Sequence, residues 1–207
     1  NTALGYAALN ANTTGASNTA IGRDALDANT TADHNVAVGK ESLTTNTTGT
    51  QNTAIGNFSL ALSTTSNDNS AVGYSALIAN TTGYGNSGVG KDALKGVTSG
   101  YGQTALGERA GEDATTGAAN VFVGNESGED LTTGIGNVFV GYQTESFGAN
   151  SNYQIVLGFD TKSVGDATTF TFGRGNGNNR VHNNFDSNSS FTRVSDVRYK
   201  DEIQDNT

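Results

Sequence analysis

Few side chains in this 207-residue sequence could perform chemistry. The two histidines, His34 and His182, lie far apart and have no partner at metal-ligand spacing, which indicates surface residues. Gly173, Gly175 and Gly177 are spaced like part of a phosphate-binding loop, but no helix pattern follows, so a turn is the better interpretation. The chain has no cysteine, which excludes disulfides and thiolate metal sites. We therefore predict neither a metal nor a cofactor.

The acidic residues are scattered over loops and do not repeat like calcium-binding nonapeptides, which favours simple solvation. The main ones are Asp24, Asp27, Asp33, Asp92, Glu112 and Asp113. Paired carboxylates hydrolyse glycans in many enzymes. No insertion interrupts this chain to form a substrate groove, so no enzymatic site is predicted in its repeats. Glycan cleavage stays an alternative, and release of sugar from host polysaccharide would demonstrate it.

A column of threonines forms another regular array. Its members are Thr13, Thr30, Thr47, Thr64, Thr81, Thr98, Thr115 and Thr132. Regular threonine arrays on flat solenoids can bind ice. These threonines fall in loops rather than on a strand face, which favours hydrogen bonding within turns.

The elements that carry these residues repeat with a strict 17-residue period, the interval from Gly5 to Gly22. The ten glycines at this spacing are Gly5, Gly22, Gly39, Gly56, Gly73, Gly90, Gly107, Gly124, Gly141 and Gly158. An aliphatic residue precedes each glycine, and Asn or Gln stands four places before it. We number each unit from that Asn or Gln, so the glycine is position 5. A short strict period predicts stacked coils, because so small a unit cannot bury its own apolar face.

Each unit predicts two short strands and a polar loop. Positions 1–4 form the first strand, positions 6–9 the second, and positions 10–17 the loop. Glycine at position 5 indicates a positive φ or a close approach of backbones. Asn at position 1 favours either a ladder of side-chain amides or a turn, and both can hold together. Ten coils about 4.8 Å apart would form a parallel β-solenoid about 45–50 Å long over residues 1–164.

Composition excludes several classes of protein. Only 34% of the residues are hydrophobic, which is typical of disorder, but selection for disorder would not maintain one aliphatic column through ten units. The net charge of −9 argues against nucleic acid as a partner, since phosphate binding requires clustered Lys and Arg. No apolar run approaches the length needed to span a membrane, so no membrane insertion is predicted.

Large side chains change position in the last units. Position 3 is Ala or Gly in the first seven units and then becomes Phe122, Phe139 and Val156. Position 9 loses its leucine over the last four units, where Gly111, Gly128, Glu145 and Lys162 stand. This pattern indicates a volume-conserving exchange around one shared space. Unit seven has neither large residue, and we expect Leu131 or Ala110 to fill its gap.

The period ends near residue 164. Residues 165–191 are predicted to form a non-repeating β cap and connector. Its first part is expected to be a hairpin, because Phe170 and Phe172 alternate with Thr before a Gly/Asn-rich turn. Residues 192–207 are charged, and their apolar spacing predicts the start of a helix. A solenoid of such thin coils would be marginal alone. Three chains side by side would bury more surface, and we expect the small residues of positions 3 and 8, such as Ala20 and Ala25, to allow their close approach.

The units resemble the head repeats of trimeric autotransporter adhesins, whose pattern is N-[ST]-x-A-[IV]-G-x-x-[AS]. The match, as in NTAIG at 18–22, extends from Asn1 to the region of Gly158, although the units of those heads are usually shorter. The resemblance implies a left-handed parallel β-roll in a homotrimer. The handedness comes from the resemblance alone, since ordinary parallel crossovers are right-handed.

The segment SDVRYKDEI at 195–203 is similar to the opening of the endosialidase-type intramolecular chaperone of phage tail fibres and tailspikes. Every fixed position of the signature S-D-x-R-x-K-x-x-I matches. The resemblance implies a chaperone that trimerises, promotes folding of the β-rich stalk and cuts itself off. Carried over, Ser195 is the nucleophile, Lys200 is the base, and the cut lies between Ser195 and Asp196; a lysine serves as base when burial lowers its pKa. The alternative is a charged helix start with Ser195 as its N-cap.

Together these features predict a homotrimeric tail-fibre segment in a phage virion. Its expected partners are its own copies, other tail proteins and a glycan or protein receptor on the host surface. The alternative is the head of a trimeric adhesin on the bacterial cell surface.

Overall fold

The computed structural model describes residues 1–165, 168–175, 179–184 and, for the backbone alone, 192–194. The chain is an all-β parallel solenoid of about ten coils, and the described residues contain no helix. The first ten strands are β1 Thr2–Leu4, β2 Thr19–Ile21, β3 Val36–Val38, β4 Thr53–Ile55, β5 Ser70–Val72, β6 Ser87–Val89, β7 Thr104–Leu106, β8 Val121–Val123, β9 Val138–Val140 and β10 Ile155–Phe159. Each pairs in parallel with the next, and from β1 to β10 the register equals the glycine period, so that Thr2 pairs with Thr19 and Val138 with Ile155.

Alternation along each strand decides which side chains form the core. In β2 to β9 the middle residue, at position 3, is buried, and the flanking residues at positions 2 and 4 point outward. Leucines at position 9, such as Leu26 and Leu43, have no exposed surface and pack against these middle residues. The coil interior therefore contains positions 3, 8 and 9, which is little apolar volume per coil.

The predicted second strand at positions 6–9 is wrong, because these residues form turns. Asp24 and Leu26, at positions 7 and 9, have φ values of 57° and 50°. Their N–H groups nevertheless bond to neighbouring coils, to the carbonyls of Tyr6 at 2.9 Å and Ser42 at 3.1 Å. The turns thus satisfy the backbone across coils without an extended conformation.

Glycine is required at position 5 for two reasons. Gly73 has a φ of +140°, and a Cβ added there would lie 2.3 Å from the carbonyl oxygen of Gly90 in the next coil. The other position-5 glycines repeat both features, with φ between +127° and +147°. Both predicted reasons, positive φ and close approach, are confirmed.

Buried asparagines at position 1 connect successive coils. The N–H of Asn35 donates to Oδ1 of Asn18 at 2.9 Å, and its Nδ2 donates to the carbonyl of Gly49, in its own loop, at 2.8 Å. The side chains also bond directly, since Nδ2 of Asn52 lies 3.2 Å from Oδ1 of Asn35. The amide ladder and the turn interpretation are therefore both confirmed.

Gln103 weakens this ladder. Its buried Nε2 has no hydrogen-bond partner, whereas Asn86 and Asn120 each donate from Nδ2 to the carbonyl of position 15. We expect Gln103→Asn to stabilise the fold by about 1 kcal/mol, because the shorter amide can reach the carbonyl of Gly117. The melting temperature measures this change. Asn86→Gln is the matched control and should lower it, while a lower value for Gln103→Asn would contradict the geometric argument.

The predicted exchange of large side chains is confirmed, but its details differ from the expectation. A Cβ added at Gly111 would lie 2.6 Å from the Phe122 ring, and one at Gly128 would lie 2.3 Å from the same ring. Phe122, which was not among the expected fillers Leu131 and Ala110, therefore lies nearest to the gap of unit seven. The ring occupies the space that leucine takes in earlier coils.

The last described strands of the chain are antiparallel. β11 Thr169–Arg174 pairs in parallel with β10 after a shorter step, because Ile155 pairs with Phe170, and it then forms a hairpin with β12 Arg180–Asn184. This hairpin is the one predicted from the alternating phenylalanines. The predicted helical start is wrong at its first residues, because Thr192–Val194 form β13, which pairs with β12. The remainder of that segment lies outside the described residues.

Candidate functional site

The outer face of the parallel sheet is a regular surface that continues through all ten coils. It consists of positions 2 and 4 of the coils, and we call it the sheet face. Position 4 is an aliphatic column in which Ile21, Ile55 and Val89 remain 37%, 41% and 40% exposed. Neither column contains a charged residue in any of the ten coils. An uncharged apolar stripe along a whole rod is typical of an interaction surface.

The sheet face becomes more apolar toward the C-terminal coils. Position 2 is mostly Thr or Ser in the first seven coils, and it then becomes Val121, Val138 and Ile155. Phe170 and Phe172 continue the two columns in β11, and Phe172 is 42% exposed. Both columns of the sheet face are therefore apolar in β8 to β10 and at Phe170 and Phe172 of β11.

The alanine columns do not lie at this surface. Ala20 and Ala25, at positions 3 and 8, have no exposed surface within the single chain. The expectation that they allow the close approach of chains is wrong, because the coil itself buries them. The alternation in NTAIG places position 3 on the opposite face from positions 2 and 4, but it does not say which face is the interior.

An acidic cleft of about 270 Å³ lies on another side, over coils 7 to 9. It is lined by Asp113, Glu126, Glu129, Asp130, Gln143 and Glu145. Arg109 forms ion pairs with Glu112 and Glu129, and its Nη1 lies 2.7 Å from Glu126. Lys162 lies 3.0 Å from Glu145 and 3.4 Å from Asp130. Arg109 and Lys162 supply two positive charges against the five lining carboxylates, so the cleft stays acidic.

The charges of this cleft shift one another's titration. Burial raises the pKa of Glu129 and outweighs the attraction of Arg109. Burial also opposes ionisation of Glu112, but hydrogen bonds from Arg109 and Lys95 lower its pKa. Several ion pairs join equivalent positions of adjacent coils, as in Lys91 with Glu108 at 3.0 Å. Residues of opposite charge that stand 17 positions apart in the sequence are the pattern that indicates this network of ion pairs. The network was not predicted from that pattern.

The predicted site residues have different outcomes. Ser195 and Lys200, and the predicted cut before Asp196, lie outside the described residues, as does Gly177. His34 is exposed, and Gly173 and Gly175 belong to the hairpin rather than to a loop before a helix. The threonine column is hydrogen-bonded, but between adjacent coils and not within turns as expected. Thr13 Oγ1 donates to the carbonyl of Thr30 at 2.9 Å, and the same bond recurs up to Thr132, which donates to Ala149 at 3.0 Å.

Within the described residues, no group of three or more potential ligands could hold a metal ion. That same part of the chain contains no helix of sufficient length and apolarity to cross a membrane. No protein-family model, curated protein or solved structure matches this chain.

Proposed function

We propose that this chain is a shaft segment of a homotrimeric bacteriophage tail fibre. In this proposal it belongs to the virion, contacts other tail proteins and contributes to host-cell attachment. Its C-terminal end is the start of an intramolecular chaperone that assists trimerisation and then releases itself. The number of chains and the left-handed coil follow from the resemblance of the repeats and of SDVRYKDEI.

The observation that carries the proposal is the sheet face. A column of half-exposed aliphatic side chains runs through all ten coils, with Thr, Ser, Val or Ile beside it. A second rod with the same repeat period presents matching side chains at every coil, so contact can continue along the whole length. Three chains that turn this face toward one shared axis form a closed trimer, in which no copy of the face is left without a partner. Chains are expected to associate because the apolar core of each coil is thin. Association buries apolar surface that a single chain leaves exposed to solvent.

The oligomeric state tests this proposal. We expect the chain to have three times the mass of a single chain by light scattering after gel filtration. Ile21→Lys combined with Ile55→Lys is expected to give monomers, because unpaired charges would be buried at the interface. Both side chains are partly exposed in one chain, so the coil itself tolerates the change.

The matched control lies in the same two coils. Thr31 and Thr65 are exposed loop residues, and Thr31→Lys with Thr65→Lys adds the same charge away from the sheet face. This variant should stay trimeric. A monomeric unmodified chain, or equal dissociation by both double variants, would refute the proposed interface.

Autoproteolysis is tested in the full-length protein. We expect it to appear as a shortened product ending at Ser195, and Ser195→Ala should prevent the cut because the nucleophilic hydroxyl is lost. Lys200→Ala should do the same by removing the base, and Ser190→Ala is the control that should still be cut. Identical masses with and without Ser195→Ala would show that the proposed cleavage is wrong.

The repeat pattern also favours a second candidate, the head of a trimeric adhesin on the bacterial surface. Both candidates use the sheet face in the same way, so the oligomeric state does not separate them. The sequence that follows Thr207 in the full-length protein does. A long helical chaperone favours the phage fibre, and a coiled-coil stalk with a membrane-anchor barrel favours the adhesin.

A further inference from the structure

Positions 16 and 17 of coils 5 to 9 form an uncharged strip that we call the tyrosine strip. It contains Tyr84–Gly85, Tyr101–Gly102, Ala118–Ala119, Ile135–Gly136 and Asn152–Tyr153. Earlier coils carry charged or polar residues at these positions, such as Asp33 and Asp68. Tyr84, Tyr101 and Tyr153 are 54%, 46% and 58% exposed, so the coil does not use their rings for its own core.

The rings of Tyr84 and Tyr101, in the first two coils of the strip, present part of their faces to solvent. Tyr84 and Tyr101 are parallel within 4°, and their ring centroids lie 5.1 Å apart. Face-to-face contact between carbon atoms occurs at about 3.5–4.0 Å, so parallel rings at this distance must be offset. Because of this offset the two rings overlap only in part, and part of a ring face stays uncovered. Gly85 and Gly102, which follow the two tyrosines, have no side chain to cover the exposed ring faces. A Cβ added at Gly85 would meet no atom closer than 4.0 Å.

A column of hydroxyl groups runs beside the rings. Thr82, Ser99 and Thr116, at position 14, are exposed, and the glycines that follow them at position 15 are buried. In coils 5 and 6 the residues at positions 14 and 16 are both exposed, and the glycine between them is buried. No described residue forms a side-chain hydrogen bond with these three hydroxyls. Tyr84 and Tyr101 thus each have an exposed hydroxyl two residues before them, on Thr82 and Ser99.

We propose that the tyrosine strip binds a neutral glycan. Sugar rings have apolar C–H faces that pack on aromatic rings, and they have equatorial hydroxyls that require hydrogen-bond donors and acceptors. The strip offers aromatic rings and hydroxyl groups in successive coils, separated by the rise of one coil. The strip has no cation, and the chain carries a net charge of −9, which disfavours anionic glycans. This inference rests on the proposed attachment function, for which it names the receptor class and the site.

Binding to defined oligosaccharides tests the inference. The probes are maltohexaose, cellohexaose, mannohexaose and chitohexaose, with hexagalacturonate as the anionic comparison. The chain has seven tyrosines and the variants remove two of them, so isothermal titration calorimetry, which needs no fluorophore, measures the affinity for each probe. We expect at least one neutral probe to bind, and Tyr84→Ala with Tyr101→Ala to weaken it at least about tenfold. Tyr84→Phe with Tyr101→Phe keeps the stacked rings and should retain binding within about threefold.

The control is Tyr6→Ala, since Tyr6 is 78% exposed but lies in the first coil, away from the strip. Failure of all four neutral probes, preferred binding of hexagalacturonate, or equal weakening by Tyr6→Ala would overturn the inference. A changed mass of the Tyr84→Ala/Tyr101→Ala variant in solution would also overturn it, because the strip would then be a contact between copies. A trimer that binds no neutral probe refutes the glycan site alone, whereas a glycan-binding monomer refutes only the trimeric shaft.

Discussion

Gly73→Ala is expected to destabilise the solenoid by about 3–5 kcal/mol, one of the two largest losses from any single substitution proposed for this chain. The φ of +140° is nearly inaccessible to a residue with a Cβ, and that Cβ would lie 2.3 Å from the backbone oxygen of Gly90. Backbone atoms cannot move aside as a flexible side chain can. Relief of the clash requires separation of coils 5 and 6, which breaks the stack. Chemical denaturation followed by circular dichroism measures the loss.

Gly85→Ala is the matched control from the same coil. Gly85 has a φ of +65°, but the nearest atom to an added Cβ is 4.0 Å away. Other coils have Ser17, His34 and Gln51 at this position with φ near +60°, so the cost should be about 1–2 kcal/mol. Equal losses for the two variants would show that φ alone, and not the close approach of coils, requires glycine at position 5.

Phe122→Ala is expected to cost about 3–5 kcal/mol, because it removes the ring that fills the core between Gly111 and Gly128. The ring has no exposed surface and stacks on Phe139, with centroids 5.8 Å apart. Gly111→Leu in the unmodified chain should also destabilise, since the new side chain would collide with the ring. Denaturation midpoints of the single and double variants measure both effects.

Together the two changes should compensate. Phe122→Ala with Gly111→Leu restores the arrangement of the earlier coils, where alanine stands at position 3 and leucine at position 9. Gly111 has a φ of 61°, close to the 51° at which Leu94 is held one coil earlier, so the backbone accepts a leucine. We expect the double variant to recover at least about half of the loss, which is a strong coupling. Losses that simply add would mean that the two positions do not share one space.

The surface of the solenoid was predicted less well than its backbone. The roles of the Asn, Gly and aliphatic columns could be predicted from the sequence, because a stacked fold repeats the same contact in every coil. The tyrosine strip and the acidic cleft interrupt this pattern, since Tyr84 and Arg109 occur in columns that hold other residues elsewhere. Such local features depend on which loops come together across coils. The chemistry predicted for Ser195 and Lys200 stays a prediction.

The sequence by itself determined the coil length, the parallel register, the need for glycine at position 5 and the terminal hairpin. These follow from period and alternation, which are properties of the chain alone. Only the tertiary structure decided that positions 6–9 turn instead of extending, that Phe122 lies nearest to the gap of unit seven, and that alanines face inward while the position-4 aliphatics face out. The physical reason is that closure of a coil assigns the interior to one face of each strand, and volumes in that interior are shared between neighbouring coils. No single repeat unit contains that information.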